Sequence, residues 1–309
     1  MFASVLSFAG KMGLLIALGY YLRRKEVITG QFQKEITAFL INVALPASIL
    51  LMANAPKEKW DWADIKASGI IGCVCYAATW LVMGLISKTF PLSDAKKRMF
   101  SVLPVFANNT LIGVPLVLGA IGAEGYLSAI TLTHVWNILF YIGAVVLIRK
   151  QRLQLKTVFT SPAATASVLA VILYLSPFRY PLFFQETLAL LSNLVMPISM
   201  LMIGCSFTQS SVWEGMRDPW SYVVVLLRHI LIPMLVLTAL YLFPGIPNAV
   251  AVSCCLMSCV PCSALCAIYA QKYDCAPEFA ICAVVQSQLF MVATIPPYWS
   301  LVSRLFPLT

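Results

Sequence analysis

The chain has 309 residues, of which 61% are hydrophobic and only 11% are charged, and its mean hydropathy is +0.87. Soluble domains carry charge on about 25% of their residues, so there is too little charge here to cover a soluble protein of this length. The net charge of +9 does not indicate nucleic-acid binding, because the basic residues lie in short clusters between hydrophobic runs. The sequence therefore predicts an all-α polytopic membrane protein.

Ten hydrophobic segments fit the sequence, and we name them segments 1 to 10 in chain order. They cover residues 4–22, 36–54, 67–88, 100–122, 125–148, 158–176, 187–207, 219–242, 248–270 and 277–302. A helix crosses a bilayer with about 20 apolar residues, which is close to the length of each segment. We expect ten transmembrane helices that form a single transporter domain over residues 1–309.

The basic residues of the loops predict the orientation of the chain in the membrane. Loops after odd-numbered segments hold most of them: Arg23, Arg24, Lys25, Lys34, Lys88, Lys96, Lys97, Arg98, Arg149, Lys150, Arg152, Lys156, Arg217 and Lys272. The opposite side holds Lys57, Lys59, Lys66, Arg179 and Arg304. Because cytoplasmic loops carry an excess of Lys and Arg, we expect both termini to be extracytoplasmic in a plasma or inner membrane.

Segments 2 and 7 share the motif Asn-x-x-x-Pro-x-Ser-x-Leu, which begins at Asn42 and at Asn193. The same offset carries segments 1–5 onto segments 6–10. Because five segments per half is an odd number, the two repeats, about 1–150 and 157–309, would be inverted relative to each other in the membrane. Inverted repeats are typical of many secondary transporters.

Segment 4 cannot form one regular helix. Pro104 and Pro115 each lack an N–H and clash with the carbonyl one turn back. Between them stand four residues that are poor in helix interiors: Asn108, Asn109, Thr110 and Gly113. Segment 9, at the corresponding place in the second repeat, is interrupted by Pro261 beside Ser258 and Ser263. The sequence therefore predicts one broken helix in each half.

Broken helices at corresponding positions of two repeats indicate a substrate site at mid-membrane. The half-helix amino ends that meet there carry partial positive charge and unpaired N–H groups, which suits an anion. We expect the following residues to bind substrate: Asn108, Asn109, Thr110, Gly113, Pro115, Ser258, Pro261, Ser263, Asn42, Asn193, Asn137 and His134.

Some of these residues have a second interpretation. Asn42 and Asn193 lie one turn before a proline, so each amide could instead satisfy the carbonyl that the proline frees. His134 and Asn137 share a face of segment 5. A titratable His134 near the site would make transport sensitive to pH, whereas the alternative is a hydrogen-bonded core histidine.

Arg228 in segment 8 is an intramembrane charge, which indicates either a functional residue or a side chain that extends to water. The predicted segments hold no Asp or Glu at depth, which disfavours a cation antiporter. Coupling to sodium through neutral oxygens, or to a proton, stays open. The ten cysteines include three at helical spacing without a nearby histidine, so we expect reduced packing residues, no metal and no cofactor.

Two other functional classes are disfavoured. An intramembrane enzyme needs a nucleophile with a base, or paired aspartates, and the sequence holds no such motif. A receptor needs room for a signalling domain, and the loops are short. We therefore expect a carrier and not an enzyme.

Residues 107–115 read Ala-Asn-Asn-Thr-Leu-Ile-Gly-Val-Pro and are similar to the pattern Gly-Asn-x-Gly-Phe-Leu-Gly-x-Pro of the auxin efflux carrier family, the bacterial relatives of plant PIN proteins. The stretch from Ala270 to Asp274, with Glu278, Ser287 and Pro296, also resembles that family. Ala107 and Thr110 depart from the pattern at two glycine positions, which leaves the pocket shape and the substrate open.

The resemblance implies a fold like that of sodium/proton antiporters and bile-acid transporters, with crossed broken helices 4 and 9. It implies a panel of segments 1, 2, 6 and 7, against which a core of segments 3–5 and 8–10 moves in alternating access. The expected substrates are small organic anions, either auxin-like monocarboxylates or malate- or malonate-like dicarboxylates, and a homodimer is expected. The alternative is a sodium-coupled symporter of larger organic anions, like the bile-acid transporters.

Overall fold

The computed structural model describes residues 2–54, 62–150, 162–208, 210–243 and 245–307. Four of the loop cations used for the orientation lie outside these ranges, as does the start of predicted segment 6: Lys57, Lys59, Arg152 and Lys156. Within these ranges every regular element is helical, and one isolated antiparallel β-bridge joins Ala107 to Cys262. The protein is thus an all-helical membrane protein.

Among the described residues, six helices are long and apolar enough to cross a bilayer, and they correspond to segments 2, 3, 5, 7, 8 and 10. Their bounds are Gly30–Met52, Trp62–Thr89, Gly125–Ile148, Leu182–Ser206, Pro219–Leu242 and Pro277–Leu305. Segment 1 is the helix Phe2–Arg24, and segment 6 contains the shorter apolar helix Pro162–Leu175. A short helix, Ser210–Gly215, precedes segment 8.

Segments 4 and 9 each consist of two helices. Segment 4 is formed by Asp94–Val102 and Asn109–Ile121, and segment 9 by Asn248–Cys259 and Ala264–Lys272. We call residues 103–108 the first break and residues 260–263 the second break. The prolines explain both, because Pro104 lies in the first break and Pro261 in the second.

Three helices contain a π turn that ends two residues before a proline. The turns are Leu40–Ala44 before Pro46, Asn109–Gly113 before Pro115, and Leu227–Leu231 before Pro233. In each, the N–H just before the proline bonds to the carbonyl five residues back, namely Leu45 to Leu40, Val114 to Asn109 and Ile232 to Leu227. The wider turn keeps the backbone paired where the proline ring would clash with a regular helix.

The helices pack in two groups. Segments 1, 2, 6 and 7 form one group, and segments 3, 4, 5, 8, 9 and 10 pack around the two breaks. The groups also contact each other, because segments 1, 6 and 7 pack on segments 10, 5 and 9 respectively. In the second group, the buried Phe106 ring of the first break lies 5.3 Å from Trp80, 5.9 Å from Trp136 and 5.3 Å from Phe140, all edge-on. This aromatic cluster fixes the first break against segments 3 and 5.

Segments 1 and 7 approach closely through two glycines. A Cβ added at Gly19 would collide with the Leu201 carbonyl, and one added at Gly204 would collide with the Ile16 carbonyl. The Cys205 thiol also donates to the Gly19 carbonyl over 3.4 Å. Small residues let membrane helices pack backbone to backbone in this way.

Replacing Gly19 with alanine is expected to lower the thermal stability of the purified protein, because the overpacked contact costs about 1–3 kcal/mol. The matched control is Gly13→Ala in the same helix, where an added Cβ meets no atom within 4 Å. Thermal unfolding in detergent compares the two variants. Equal melting temperatures would contradict the close contact between segments 1 and 7.

Candidate functional site

The two breaks are paired through their backbones. The Asn108 N–H donates to the Pro261 carbonyl over 2.9 Å, and the Ser263 N–H donates to the Phe106 carbonyl over 3.0 Å. These four residues are buried. Each break therefore supplies partners for backbone groups that its own helices cannot satisfy, as a bilayer interior requires.

The second half-helices of segments 4 and 9 both begin at this pairing. Ser263 caps the helix Ala264–Lys272, because its hydroxyl accepts a hydrogen bond from the Leu265 N–H over 3.3 Å. The helix Asn109–Ile121 starts directly after Asn108. The first N–H groups of a helix have no acceptor within the helix and carry partial positive charge. Two such ends converge here.

A small enclosed cavity, which we call the central cavity, lies where these helix ends face segments 2 and 7. Its volume is about 20 Å³, enough for a single water molecule. The side chains with polar atoms that line it are Ser48, Ser199, Asn108, Asn109, Thr110, Trp136, Asn137, Tyr141 and Ser263, and no carboxylate lines it among the described residues.

Three side-chain amide atoms at the central cavity are buried and have no hydrogen-bond partner within the described chain. They are Asn108 Nδ2, Asn109 Oδ1 and Asn137 Nδ2. The other end of Asn109 is held, since its Nδ2 donates to the Tyr76 hydroxyl over 2.6 Å. An unpaired buried polar group costs about 1–3 kcal/mol. The two free amide donors are thus suited to a ligand that accepts hydrogen bonds, such as a carboxylate.

Five of the residues predicted from the sequence line the central cavity: Asn108, Asn109, Thr110, Asn137 and Ser263. Pro261 takes part through its carbonyl, which holds Asn108. Gly113 lies further along the half-helix, where an added Cβ would collide with the Met257 side chain. The five residues thus line the cavity, whereas Pro261 and Gly113 lie where segments 4 and 9 contact each other.

The remaining predicted residues lie away from the central cavity. Asn42 and Asn193 are exposed on segments 2 and 7, and Pro115 is exposed about two turns after the first break. The Ser258 hydroxyl donates to the Cys255 carbonyl over 2.6 Å within its own helix. The buried His134 ring packs on Tyr174 at 4.9 Å.

Ser48 and Ser199 are cavity residues that the sequence reasoning did not select. Both belong to the repeated motif of segments 2 and 7, six residues after its asparagine. Ser199 donates to the Val195 carbonyl over 2.6 Å, which orients its oxygen within the helix. The repeated motif therefore did mark cavity residues. Its serine lines the cavity, whereas its asparagine does not.

Arg228 lies at the crossing and does not extend to water, since its side chain is 2% exposed. Nε donates to the Val260 carbonyl over 2.7 Å, Nη1 to the Pro104 carbonyl over 3.0 Å, and Nη2 to the Met257 carbonyl over 3.1 Å. An ion pair between Lys96 and Asp218 lies elsewhere in the structure. Arg228 is therefore a buried cation bound by carbonyls of both broken segments.

The residue after Arg228 anchors the second break to segment 10. His229 Nε2 lies 2.9 Å from the Ser287 hydroxyl, and its Nδ1 lies 3.0 Å from the Thr294 hydroxyl. The Ser287 oxygen also accepts the Cys262 N–H over 2.8 Å. This network uses both ring nitrogens of His229 and holds the second break from the side of segment 10.

A larger cavity of about 470 Å³ lies between the start of segment 2 and the end of segment 9. We call it the basic vestibule because Arg23, Lys34 and Lys272 line it, together with Glu278. Ile41, which lines it, lies one helical turn before Leu45, which lines the central cavity. Segment 2 thus contributes residues to both cavities.

Comparison with known proteins gives two matches. The family model described as Membrane transport protein matches residues 11–159 and again residues 152–299. An uncharacterized transporter of Methanocaldococcus jannaschii is 23% identical over 230 residues, which cover 71% of this chain and 74% of that protein. Together the two matched ranges cover residues 11–299.

Changing Asn108 to aspartate is expected to abolish binding of organic anions, because the isosteric carboxylate repels them. Asn108→Ala removes one donor and is expected to weaken binding roughly tenfold, as for a hydrogen bond to a charged group. Thermal stabilisation of the purified protein by malonate and by indole-3-acetate measures the affinity. Asn193→Asp is the matched control, since Asn193 lies outside the central cavity. Unchanged affinity in Asn108→Asp would remove Asn108 from the site.

Proposed function

The chain belongs to the membrane transport protein family of auxin efflux carriers, and from this premise we propose that it carries small organic anions by alternating access around the crossing of segments 4 and 9. It is a multi-pass membrane transporter. The proposed substrates are auxin-like monocarboxylates or malate- or malonate-like dicarboxylates, and the proposed location is the plasma or inner membrane with both termini outside the cytoplasm.

The observation that carries this proposal is the chemistry of the central cavity. Amide donors of Asn108 and Asn137 are unpaired there, and two helix amino ends converge beside them. Carboxylates accept hydrogen bonds from such donors, and helix amino ends favour negative charge. The lining that the structure describes includes no Asp or Glu that would repel an anion.

The position of the central cavity supports alternating access. Ser48 and Ser199 come from the group of segments 1, 2, 6 and 7, whereas the asparagines come from the other group. In our proposal the first group is the panel and the second is the moving core. With about 20 Å³, the cavity is too small for an organic anion, so the groups must separate to admit one.

The basic vestibule supplies a route to this site. Its lining cations belong to the side that loop charge assigns to the cytoplasm. Three cations and one carboxylate, Glu278, line the vestibule, and an excess of positive charge in a cleft raises the local concentration of anions. In our proposal the vestibule gathers organic anions on the cytoplasmic side, and the inverted repeat provides the equivalent opening on the other side.

Purified protein in liposomes is expected to show substrate-specific counterflow of at least one labelled acid among indole-3-acetate, malate and malonate. Flux without sodium would support the proposal, and flux of taurocholate that requires sodium would support the sodium-coupled alternative instead. Empty liposomes and the Asn108→Asp variant are the controls. Absence of counterflow for all of these acids would contradict the proposed function.

A further inference from the structure

We propose that Arg228 is the positioning residue that makes the crossing selective for anions, and this proposal rests on the proposed function. Its guanidinium ties the carbonyl ends of both first half-helices together and neutralises their negative charge. The amide ends of the second half-helices then dominate the electrostatics of the central cavity.

The three hydrogen bonds of Arg228 reach both broken segments at their carboxyl ends. Met257 lies in the last turn of the helix Asn248–Cys259, and Val260 is the first residue after that helix. Pro104 lies two residues after the helix Asp94–Val102. Carbonyls at helix ends have no partner within their own helix. Arg228 therefore satisfies orphan carbonyls of both half-helices with a single rigid group.

Arg228 offsets the charge of the helix carboxyl ends, whereas the charge of the helix amino ends is not offset. A helix carboxyl end carries about −0.5 elementary charge, so two such ends are offset by one guanidinium. The amino ends at Asn109 and Ser263 have no such counter-charge in the described lining of the central cavity. Without Arg228 the two kinds of helix end would oppose each other, and the preference for anions would weaken.

Arg228 acts through the crossing rather than by contact with the central cavity. It lines a separate cavity of about 30 Å³ together with Tyr76. Tyr76 in turn holds Asn109, which lines the central cavity. Because Arg228 bonds to both breaks, the cation and the anion site belong to the same rigid unit and move together in the proposed transport cycle.

A sodium ion bound at the crossing would need carbonyl oxygens such as those of Pro104, Met257 and Val260 as ligands, since hard cations are bound by oxygen atoms. All three are bound by Arg228. The guanidinium therefore takes the position of a bound cation and is never released during the cycle. A side chain of the protein, rather than a bound ion, thus offsets the negative charge of the helix carboxyl ends.

Arg228→Lys and Arg228→Met form a matched pair of similar length that differ in charge. We expect Arg228→Lys to keep the affinity for malonate and indole-3-acetate within roughly tenfold of the wild type and Arg228→Met to lose roughly tenfold more, because helix-end charges interact at this magnitude in buried sites. Thermal stabilisation by each acid measures affinity, and liposome flux measures KM and kcat separately. Equal affinities in the two variants would overturn the charge role.

Chemical rescue provides a test that needs no substrate. Arg228→Ala opens a site for a free guanidinium ion, so millimolar guanidinium chloride is expected to raise its melting temperature, because a ligand that binds only the folded state stabilises it. Sodium chloride and tetramethylammonium chloride at equal concentration should not, and neither should guanidinium with the wild type. Arg304→Ala is the control variant, since Arg304 is exposed.

The outcomes separate this proposal from the proposed function. Stabilisation of Arg228→Ala by guanidinium alone, with recovery of anion flux, would support the role of Arg228. Equal effects of guanidinium and sodium would overturn it, whether or not the wild type carries anions. A wild type that carries none of the acids, while Arg228→Ala is still rescued in stability, would contradict the proposed function and confine Arg228 to joining the half-helices.

Discussion

The structure depends on one constraint, which is that backbone N–H and C=O groups inside a bilayer have no water to bond to. A continuous helix would pair all of these groups internally, but prolines interrupt the helices of segments 4 and 9. The breaks pair with each other through Asn108 with Pro261 and through Ser263 with Phe106. Arg228 takes three of the carbonyls that remain. Neither break could be satisfied without the other.

This solution separates the two kinds of helix end. Carbonyl ends converge on Arg228, whereas amide ends converge on the central cavity, where Asn108 and Asn137 keep free donors. A crossing of broken helices therefore gives a polar site without any buried carboxylate in the described lining. Fold alone does not imply function, and here it is the distribution of donors and acceptors that points to an anion.

The packing around the crossing is uneven in a way that suits movement. Phe106 is enclosed by aromatic rings of segments 3 and 5, and the second break is held by His229 and Ser287. Segments 1 and 7 are joined separately through the backbone contact at Gly19. The central cavity lies between these two groups, since segments 2, 4, 5, 7 and 9 all line it.

The sequence by itself determined the membrane class and the places where helices break, because composition and proline act locally. It did not determine which face of a segment turns inward. Six residues separate Asn42 from Ser48, and at about 100° per residue they lie on different faces of the helix. Packing turns the serine face inward, so Ser48 lines the central cavity while Asn42 is exposed, and Ser199 and Asn193 show the same arrangement in segment 7. The role of Arg228 was equally hidden, since its three acceptors lie far from it in sequence and only the tertiary structure brings them together.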